Sequence, residues 1–471
     1  MAAGAALDVC VIDHLPPLSW VAHVDGARAE VTCGGGVVKH DDGVFEGAWS
    51  DAGGALSPLD ASEVFGSGLC RREGEWIAIP PSHMLECLYV LRGRAWTVSN
   101  SLALLQAKTG FAFELSGAPL LKALAQGAAM IRPEPAPIPT SQGPLYLVYH
   151  HNMRLGPAPQ TAPKPEAPRF SSFEHYRDYL RDTLRAVAVQ SDRSFIAAVS
   201  SGYDSVACAA LIAGLGGRDV LTFARARGGV DDSGAPIARA LGMEAVEYGR
   251  PEHVPAHEAA HFLCMGLGGE DAVYAGFGEA LSGRVFVTGF HGDKVWDLGA
   301  TPNDRLRRGD LSGASLGEFR LRQNFVHAPA PFIAGRRHAD LDAISRSAAM
   351  KPYRVGGGYD RPLARRMAEE AGVPRGSFGV RKKAVSLHQV GAAKAPASLQ
   401  RAVSVAAWRL MHGGARRLGP ARRPALAAAD WLYPRIFGCP FVVLEHAAPA
   451  AAPAFTESLA DMRGRYRSWL T

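Results

Sequence analysis

The sequence predicts an α/β protein in which an N-terminal α+β domain precedes a doubly wound parallel sheet and a helical C-terminal part. Two observations lead to this prediction. Residues 1–155 contain short strand-like runs separated by Gly, Pro, Asn and Asp, which is typical of antiparallel sheets. After residue 171, apolar runs of strand length alternate with helical segments, which is typical of a parallel sheet with crossover helices.

The composition is that of a globular protein with reduced thiols. The 471 residues are 47% hydrophobic and 20% charged, and this length suits two or three domains. The seven cysteines are scattered without a C-x-x-C pair, as is usual in the cytoplasm. We find neither a signal-peptide pattern nor an apolar run of roughly 18 residues, so we expect a cytoplasmic protein without a membrane partner.

A proline-rich stretch separates the two parts of the chain. Residues 156–168 contain five prolines, a composition typical of an extended, semi-rigid linker. We therefore predict an N-terminal domain at 1–155, a linker at 156–170 and a second domain at 171–471. The strands predicted for the N-terminal domain, each bounded by turn-forming residues, are 9–12, 31–32, 76–79, 95–98 and 145–149.

The second domain begins with a helix and continues with alternating strands and helices. Ser171 and Glu174 have the spacing of a capping box, which predicts a helix from here to about residue 190. Asp360 and Pro362 open a later helix. The apolar runs between these two helices predict a helix at 235–241 and strands at 195–199, 219–223, 245–248 and 284–288.

The most informative stretch is the polar turn after the strand at 195–199. Strand, tight turn and small-residue helix follow one another here, a geometry that directs backbone N–H groups toward an anion. Gly202 lets the backbone approach closely, and Asp204 can hold a magnesium ion. The pattern is not that of a Walker loop, and an ordinary Ser/Gly turn is the alternative. The residues that we predict to cradle a phosphate or pyrophosphate are Ser200, Ser201, Gly202, Tyr203, Asp204 and Ser205.

Two further segments carry charged residues that suit the same chemistry. The fourth predicted strand runs into Gly289 and, four residues later, Asp293. Ligands of open α/β sheets bind at the carboxyl ends of strands, so we predict that Asp204 and Asp293 share one magnesium ion. A helix cap or a solvated turn is the alternative for Asp293. Arg381 and Lys383 would stabilise charge on a departing pyrophosphate, unless they form an ordinary solvated basic turn.

These segments, in this order, resemble the synthetase domain of the asparagine synthetase family, which belongs to the PP-loop ATP pyrophosphatases. Residues 200–205 are similar to the family's S-G-G-x-D-S motif, with Ser201 in place of the first glycine. Residues 288–294 are similar, imperfectly, to S-G-E-G-x-D-E, and Arg381 with Lys383 to a late Arg-x-Lys. The resemblance covers the second domain to about residue 390. The family also includes β-lactam synthetases and lasso-peptide cyclases.

The resemblance implies an ATP-dependent ligase that forms a carbon–nitrogen bond. Such an enzyme adenylates a small-molecule or peptide carboxylate, releases pyrophosphate and transfers the acyl group to an amine or ammonia. It implies ATP and Mg²⁺ as cofactors, with Asp204 and Asp293 as ligands of the metal. It also implies that Gly289 lies at the cofactor site and that Lys383 and Arg381 are catalytic.

The sequence departs from the family at positions that bear on the substrates. Phe290 replaces the glutamate of the second motif, and Lys294 replaces an acidic residue, so we do not expect aspartate as a substrate. The N-terminal domain weakly resembles the family's glutamine amidohydrolase fold. That fold uses a cysteine exposed by removal of Met, but Ala2 follows Met here and the first cysteine is Cys10. We therefore expect a relic amidotransferase-like domain without glutaminase activity.

Two alternative functions remain open from the sequence. His257, Glu258 and His261 form a literal H-E-x-x-H, which on a helix can build a zinc hydrolase site. Solvent-facing side chains are the ordinary interpretation of that segment. The second alternative is a non-catalytic homologue that binds a nucleotide. The arginines between 416 and 423 lack interleaved aromatic residues, and the net charge of +6 is small, so we do not expect a nucleic-acid partner.

Overall fold

The computed structural model describes residues 7–50, 57–226, 228–267, 269–380 and 451–470. The protein is a mixed α/β structure with three sheets, one of which is entirely parallel. The general α/β class and the parallel sheet that the sequence predicts are thus confirmed.

The N-terminal part consists mainly of strands. In the described chain up to residue 162 the strands are β1 (Leu7–Val11), β2 (Trp20–Asp25), β3 (Arg28–Cys33), β4 (Val38–His40), β5 (Gly43–Ser50), β6 (Glu63–Arg72), β7 (Glu75–Ile79), β8 (Leu88–Arg92), β9 (Trp96–Ser99), β10 (Ile138–Thr140), β11 (Gly143–Val148), β12 (Asn152–Leu155) and β13 (Pro159–Ala162). Two helices, α1 (Leu102–Thr109) and α2 (Gly117–Ala128), lie between β9 and β10.

These strands form two sheets that face each other. One sheet has the order β1-β3-β2-β9-β8-β11-β10 and the other the order β13-β12-β7-β6-β5-β4. The pairs are antiparallel except for β1 with β3. Trp20 and Val90 from the first sheet and Trp76 from the second are buried in one core between them. Helices α1 and α2 cover the outer face of the first sheet, where Leu104 and Leu124 are fully buried with Leu91.

The proline-rich stretch, which the sequence predicts to be an extended, semi-rigid linker, contains a strand. Strand β13 lies within it and pairs with β12, with Asn152 opposite Ala162. Lys164 is buried and its Nζ lies 2.5 Å from Asn152 Oδ1. Proline at a sheet edge costs no ladder hydrogen bond, which explains how this composition forms a strand. The division into domains at 155 and 170 stays a prediction.

The second part alternates strands and helices. Its described elements are α3 (Phe173–Ser191), β14 (Phe195–Ala198), α4 (Tyr203–Ala213), β15 (Asp219–Phe223), α5 (Ala235–Ala240), β16 (Glu244–Tyr248), α6 (Ala256–Leu263), α7 (Gly278–Leu281), β17 (Val285–Thr288), α8 (Gly292–Val295), α9 (Gly317–Gln323), β18 (Val326–Pro329), α10 (His338–Arg346), α11 (Pro362–Glu370) and α12 (Ala451–Leu470). Short 3-10 helices occupy Glu270–Phe277, Ala330–Phe332, Gly335–Arg337 and Ala348–Tyr353.

The parallel sheet has the strand order β16-β15-β14-β17-β18. Its side chains alternate between two cores: Ala197 and Val287 pack in one with α4, and Ile196 and Phe286 in the other with α6. The chain winds in one direction from β14 to β16 and then resumes on the other side with β17. Loops after β14 and β17 therefore leave a crevice between them, where ligands of such sheets bind.

Some details differ from the sequence prediction. The cap of α3 is Ser172, whose Oγ accepts a hydrogen bond from His175 N at 3.2 Å, and the predicted box at Ser171 does not form. Strand β18 was not predicted, because four residues containing His327 and Pro329 lack a strand pattern. Among the described residues, we find no helix with the length and apolar character needed to span a membrane.

Candidate functional site

The loop between β14 and α4 is held together by its own polar groups. Ser200 N donates to Ser205 Oγ at 3.1 Å, and the hydroxyls of these two serines lie 3.0 Å apart. Gly202 N donates to Ser200 Oγ at 3.2 Å, and Gly202 is the N-cap of α4. The loop is therefore a rigid turn in which hydroxyl groups line the start of a helix.

A carboxylate from the next strand connection fixes the same loop. Asp232 Oδ1 accepts hydrogen bonds from Ser201 N at 3.1 Å and from Ser201 Oγ at 2.7 Å. Asp232 is buried. The replacement of glycine by Ser201 thus supplies a hydroxyl that this carboxylate binds.

The loop after β17 lies directly against Asp204. A Cβ atom on Gly289 would lie 2.5 Å from Asp204 Cβ, and one on Gly292 would lie 2.3 Å from Asp204 Cγ. Such distances are far below van der Waals contact, so only glycine permits this approach. The residue after Gly292 is Asp293. The structure therefore brings the two predicted acidic loops together at the carboxyl ends of β14 and β17.

These loops form part of one open cleft of about 1080 Å³. Apart from Ser201, which packs beneath the loop, every residue predicted at the phosphate and cofactor site in the described chain lines it. Five carboxylates also line this cleft. The lining residues that bear on the chemistry are Ser200, Gly202, Tyr203, Asp204, Ser205, Glu270, Asp271, Tyr274, Thr288, Gly289, Phe290, His291, Asp293, Asp310, Ser312, Tyr359 and Arg361.

Arg361 is the main residue of the cleft that the sequence reasoning missed. Its guanidinium forms an ion pair with Asp204, and its Nε lies 3.3 Å from Asp297 Oδ2. Burial, the largest single influence, lowers the pKa of Arg361, but Asp204, Tyr359 and Asp293 together raise it above its usual value. The guanidinium is thus a fixed positive charge inside the cleft. In the sequence, Pro362 marks the start of a helix, but nothing near Arg361 marks a binding residue.

Tyr359 and Phe378 pack against Tyr203, the first residue of helix α4. The Tyr203 ring lies 4.9 Å from the Tyr359 ring and makes an edge contact with Phe378 at 5.9 Å. Gly379 N donates to Ser201 O at 2.9 Å, and its positive φ and contact with the Tyr203 ring require glycine. The described chain thus reaches Val380 beside the loop. The predicted catalytic residues Arg381 and Lys383 lie outside the described residues.

The residues present suit a magnesium ion. Magnesium takes oxygen ligands, and proteins usually supply one or two carboxylates while waters and substrate phosphates supply the rest. Asp204 and Asp293 line the same cleft and are carboxylates of this kind. In the described part of the chain, no group of three or more His, Cys, Asp or Glu side chains is arranged to hold a metal.

The two positions that depart from the family pattern contribute different properties to the cleft. Phe290 makes edge contacts with Tyr274 at 6.3 Å and with His327 at 6.0 Å, so it presents an apolar surface. Lys294 Nζ forms an ion pair with Asp293 Oδ2 at 3.1 Å. This pair reduces the net negative charge beside Asp293.

The H-E-x-x-H segment does not form a metal site in the structure. It lies on α6, where the His257 side chain is 67% exposed and pairs with Glu258 at 3.8 Å. His261 is buried, and its Nε2 lies 2.7 Å from Arg322 Nη1. Burial, then the charges of Arg322 and Arg465, lower the pKa of His261 to about 3. A guanidinium at the coordinating nitrogen opposes a zinc ion, so the geometry disfavours the hydrolase alternative.

Cys10 lies in a strand, as the sequence predicts. It is exposed in β1, and its backbone pairs with Thr32 of β3. The six cysteines in the described chain are free thiols, and five of them are buried. Burial, followed by the nearby Cys10, raises the pKa of Cys33 to about 11. These thiols are unreactive core residues, apart from Cys10.

Comparison with known proteins does not assign a family. No protein-family model matches this chain, and no curated protein sequence matches it significantly. The resemblance to the asparagine synthetase family therefore rests on the sequence motifs alone.

Proposed function

We propose that the protein is an ATP-dependent carbon–nitrogen ligase of the cytoplasm. It would adenylate a small-molecule or peptide carboxylate, release pyrophosphate, and transfer the acyl group to an amine or ammonia. In this proposal the parallel sheet is the doubly wound sheet of a PP-loop enzyme. The N-terminal sandwich is a relic amidotransferase-like domain without glutaminase chemistry.

The single observation that carries the proposal is the convergence of two loops on Asp204. Gly289 and Gly292 leave just enough space for Asp204 at the crevice of the parallel sheet. A serine-rich turn at a helix N-terminus beside two carboxylates suits a triphosphate with its metal. Ordinary turns between strands and helices do not need this contact between distant segments.

The metal and the positively charged side chains would together stabilise the negative charge that develops on the pyrophosphate. Asp204 and Asp293 would hold Mg²⁺, which when bound offsets the charge that develops on the pyrophosphate. Arg361 adds a buried positive charge at the same place. Lys383 and Arg381 would add further positive charge. Gly379, which comes two residues before Arg381 in the chain, supports this because its backbone N–H donates to Ser201 O.

The other wall of the cleft suits an amine. Glu270 and Asp310 line the cleft together with Phe290, so carboxylates and an apolar ring occur side by side. Carboxylates attract a substrate ammonium group, and the ring can bind an apolar portion of the substrate. This arrangement favours a substrate or second substrate that brings its own amine, rather than glutamine-derived ammonia.

ATP–pyrophosphate exchange across a panel of carboxylic acids tests the proposal. We expect exchange that depends on Mg²⁺ and on a subset of the acids, with no release of glutamate from glutamine. The Asp204→Asn variant should lose exchange, whereas the exposed Asp182→Asn variant on α3 should retain it. ATP binding without exchange for any acid would instead support the non-catalytic alternative. Zinc in stoichiometric amount, lost in His257→Ala, would support the hydrolase.

A further inference from the structure

A chain of buried contacts runs from the N-terminal sandwich to the cleft. Thr288 Oγ1, at the end of β17, lies 2.8 Å from His327 Nε2 on the neighbouring strand. His327 Nδ1 lies 3.3 Å from Glu86 Oε1, and Glu86 Oε2 lies 2.7 Å from Arg320 Nε. Thr288 lines the cleft, whereas His327 is fully buried behind it. The cleft is thus connected to a carboxylate that the N-terminal part provides.

The same network is anchored by a second carboxylate from the sandwich. Arg320 donates two hydrogen bonds to Glu46, at 2.8 Å and 2.7 Å. The other titratable ring facing His327 is His83, whose centroid lies 5.8 Å away. Burial, partly offset by Glu86, lowers the pKa of His83 to about 3, so this imidazole is neutral. The charged groups around His327 are therefore the Glu86 carboxylate, which contacts it, and the Arg320 guanidinium, which binds the other side of that carboxylate.

The protonation states follow from these charges. Burial on its own raises the pKa of Glu86, but Arg320 and the contacts with His327 bring it down to about 2. Glu86 is consequently ionised and accepts a hydrogen bond from His327 Nδ1–H, which assigns the tautomer. The Nε2 atom then has a lone pair and accepts the Thr288 hydroxyl proton. A hydroxyl, an imidazole and a carboxylate are thus linked in the order used by catalytic triads.

Amide formation requires a group that takes a proton from the attacking amine. Phe290, in place of the family's glutamate, cannot accept one. Asp271 already accepts hydrogen bonds from Gly313 N, Ser315 N and Ser315 Oγ, at 2.8 Å, 3.0 Å and 2.6 Å. Asp204 and Asp293 would be engaged with the metal. Thr288 is a cleft residue whose hydroxyl contacts an imidazole behind it, with 2.8 Å between Thr288 Oγ1 and His327 Nε2.

We propose that Thr288 is the catalytic proton acceptor for the amine, with His327 and Glu86 as positioning residues, and this rests on the proposed ligase function. The amine nitrogen attacks the acyl carbon, and the bond from that carbon to the AMP oxygen breaks with its electron pair on AMP. The amine proton passes to Thr288 Oγ1 while the Thr288 proton passes to His327 Nε2. The resulting imidazolium is stabilised by ionised Glu86 and then returns its proton through Thr288 Oγ1 to the cleft.

The two half-reactions separate this role from adenylation. ATP–pyrophosphate exchange reports formation of the acyl-adenylate, and amide formation reports its capture. We expect Thr288→Val to lower the ratio of amide formation to exchange by at least about a hundredfold, the size usual for general acid–base groups. Thr288→Ser, which restores a hydroxyl, should recover most of the ratio. An unchanged ratio in a folded Thr288→Val protein would overturn the proposal.

The ratio of the two half-reactions also tests the positioning residues. We expect Glu86→Gln to lower the ratio of amide formation to exchange, because a neutral amide no longer stabilises the imidazolium. His327→Gln should lower this ratio as far as Thr288→Val does. Wild-type ratios in folded variants would contradict the relay. If the wild-type protein shows no exchange with any acid, the ligase proposal itself is wrong. Failure of the Thr288 proposal can therefore be distinguished from failure of the ligase proposal.

Discussion

The loop at 199–205 and the network around Arg320 differ in how they use polar groups. Apart from Asp204, the loop consists of neutral hydroxyls and amides that are partly exposed, and Ser201 binds a single carboxylate, Asp232. The network is ionic and dry, with the Arg320 and Glu46 side chains 3% and 0% exposed. Glu46 and Arg320 are 274 positions apart in the chain.

This difference separates two roles. Exposed or partly exposed polar groups can change partners with little loss of stability, so the loop can exchange its internal bonds for bonds to a ligand. A buried charge that loses its partner is strongly destabilising, so the network must stay paired for the sandwich and the parallel sheet to remain joined. Changes in the loop should therefore affect activity, and changes in the network should affect stability first.

The largest effect should come from the loop carboxylate. Asp204→Asn removes one charge from the predicted metal clamp and from the ion pair with Arg361. We expect ATP–pyrophosphate exchange to fall by about a thousandfold, in keeping with the several kcal/mol that a bound metal supplies. The protein should stay folded, because Arg361 keeps its second carboxylate partner, Asp297. Near wild-type exchange would contradict the assignment of Asp204 to the metal site. An unfolded variant would show instead that Asp204 is needed for the folded structure.

The network should respond in the opposite way. Glu46→Gln leaves Arg320 with one fewer carboxylate in a dry interior, and we expect a loss of about 3 to 5 kcal/mol in the free energy of unfolding. Asp60→Asn is a matched control, because the Asp60–Arg72 pair is 54% and 40% exposed. That change should cost less than about 1 kcal/mol. The free energies of unfolding would be measured by urea unfolding. Equal losses for Glu46→Gln and Asp60→Asn would remove the distinction between the two regions.

The basic residues after Val380 sharpen the assignment of the site. Lys383→Ala should lower turnover by about a hundredfold, as for loss of one electrostatic stabiliser, whereas Lys382→Ala should have a much smaller effect. The measurement is the steady-state rate at saturating ATP. Equal losses at both positions would indicate a general basic patch rather than one catalytic lysine.

The contact between the two acidic loops can be tested with one methyl group. Gly292→Ala places a Cβ against the Asp204 carboxylate, whereas Gly276→Ala adds one to open space. Overpacking usually costs about 1 to 3 kcal/mol, so we expect exchange to fall about tenfold in the first variant only. Similar rates in both variants would show that the loops need not touch for activity.

The smallest effect at neutral pH concerns acid stability near the network. The pKa of His83 is about 3 in the folded protein and 6.5 without burial, so the unfolded chain binds one more proton between these values. Stability must therefore fall as the pH falls from about 6.5 toward 3, by up to about 1.4 kcal/mol per pH unit for this group. His83→Gln should reduce the slope of unfolding free energy against pH, and His14→Gln, at an exposed position, should not.

Much of the parallel sheet could be predicted because its signals are local. Strands β14 and β15 are short apolar runs bounded by turn residues, and β15 has the predicted bounds 219–223. The turn after β14 carries its motif within six residues. The loop after β17 was predicted for the same reason, although the glycine contacts on Asp204 need the tertiary structure.

The rest of the site is assembled from distant segments. Arg361 is 157 positions from Asp204, and nothing near it in the chain marks a binding residue. His327 lies in a strand that ends in proline, and Glu86 belongs to the other part of the protein. Such pairs form only when sheets pack, so a single sequence contains no periodic signal for them. The final helix α12 also joins this interface, where Tyr466 donates to Glu318 at 2.9 Å.

The products of ATP turnover test the central claim most directly. Wild-type protein would be incubated with Mg²⁺, ATP labelled at the α-phosphate, an acid that supports exchange, and an amine. Cleavage between the α and β phosphates predicts labelled AMP and pyrophosphate, formed in equal amounts with the amide and lost in Asp204→Asn. Labelled ADP with inorganic phosphate, or amide formed without ATP cleavage, would contradict the account of the cleft.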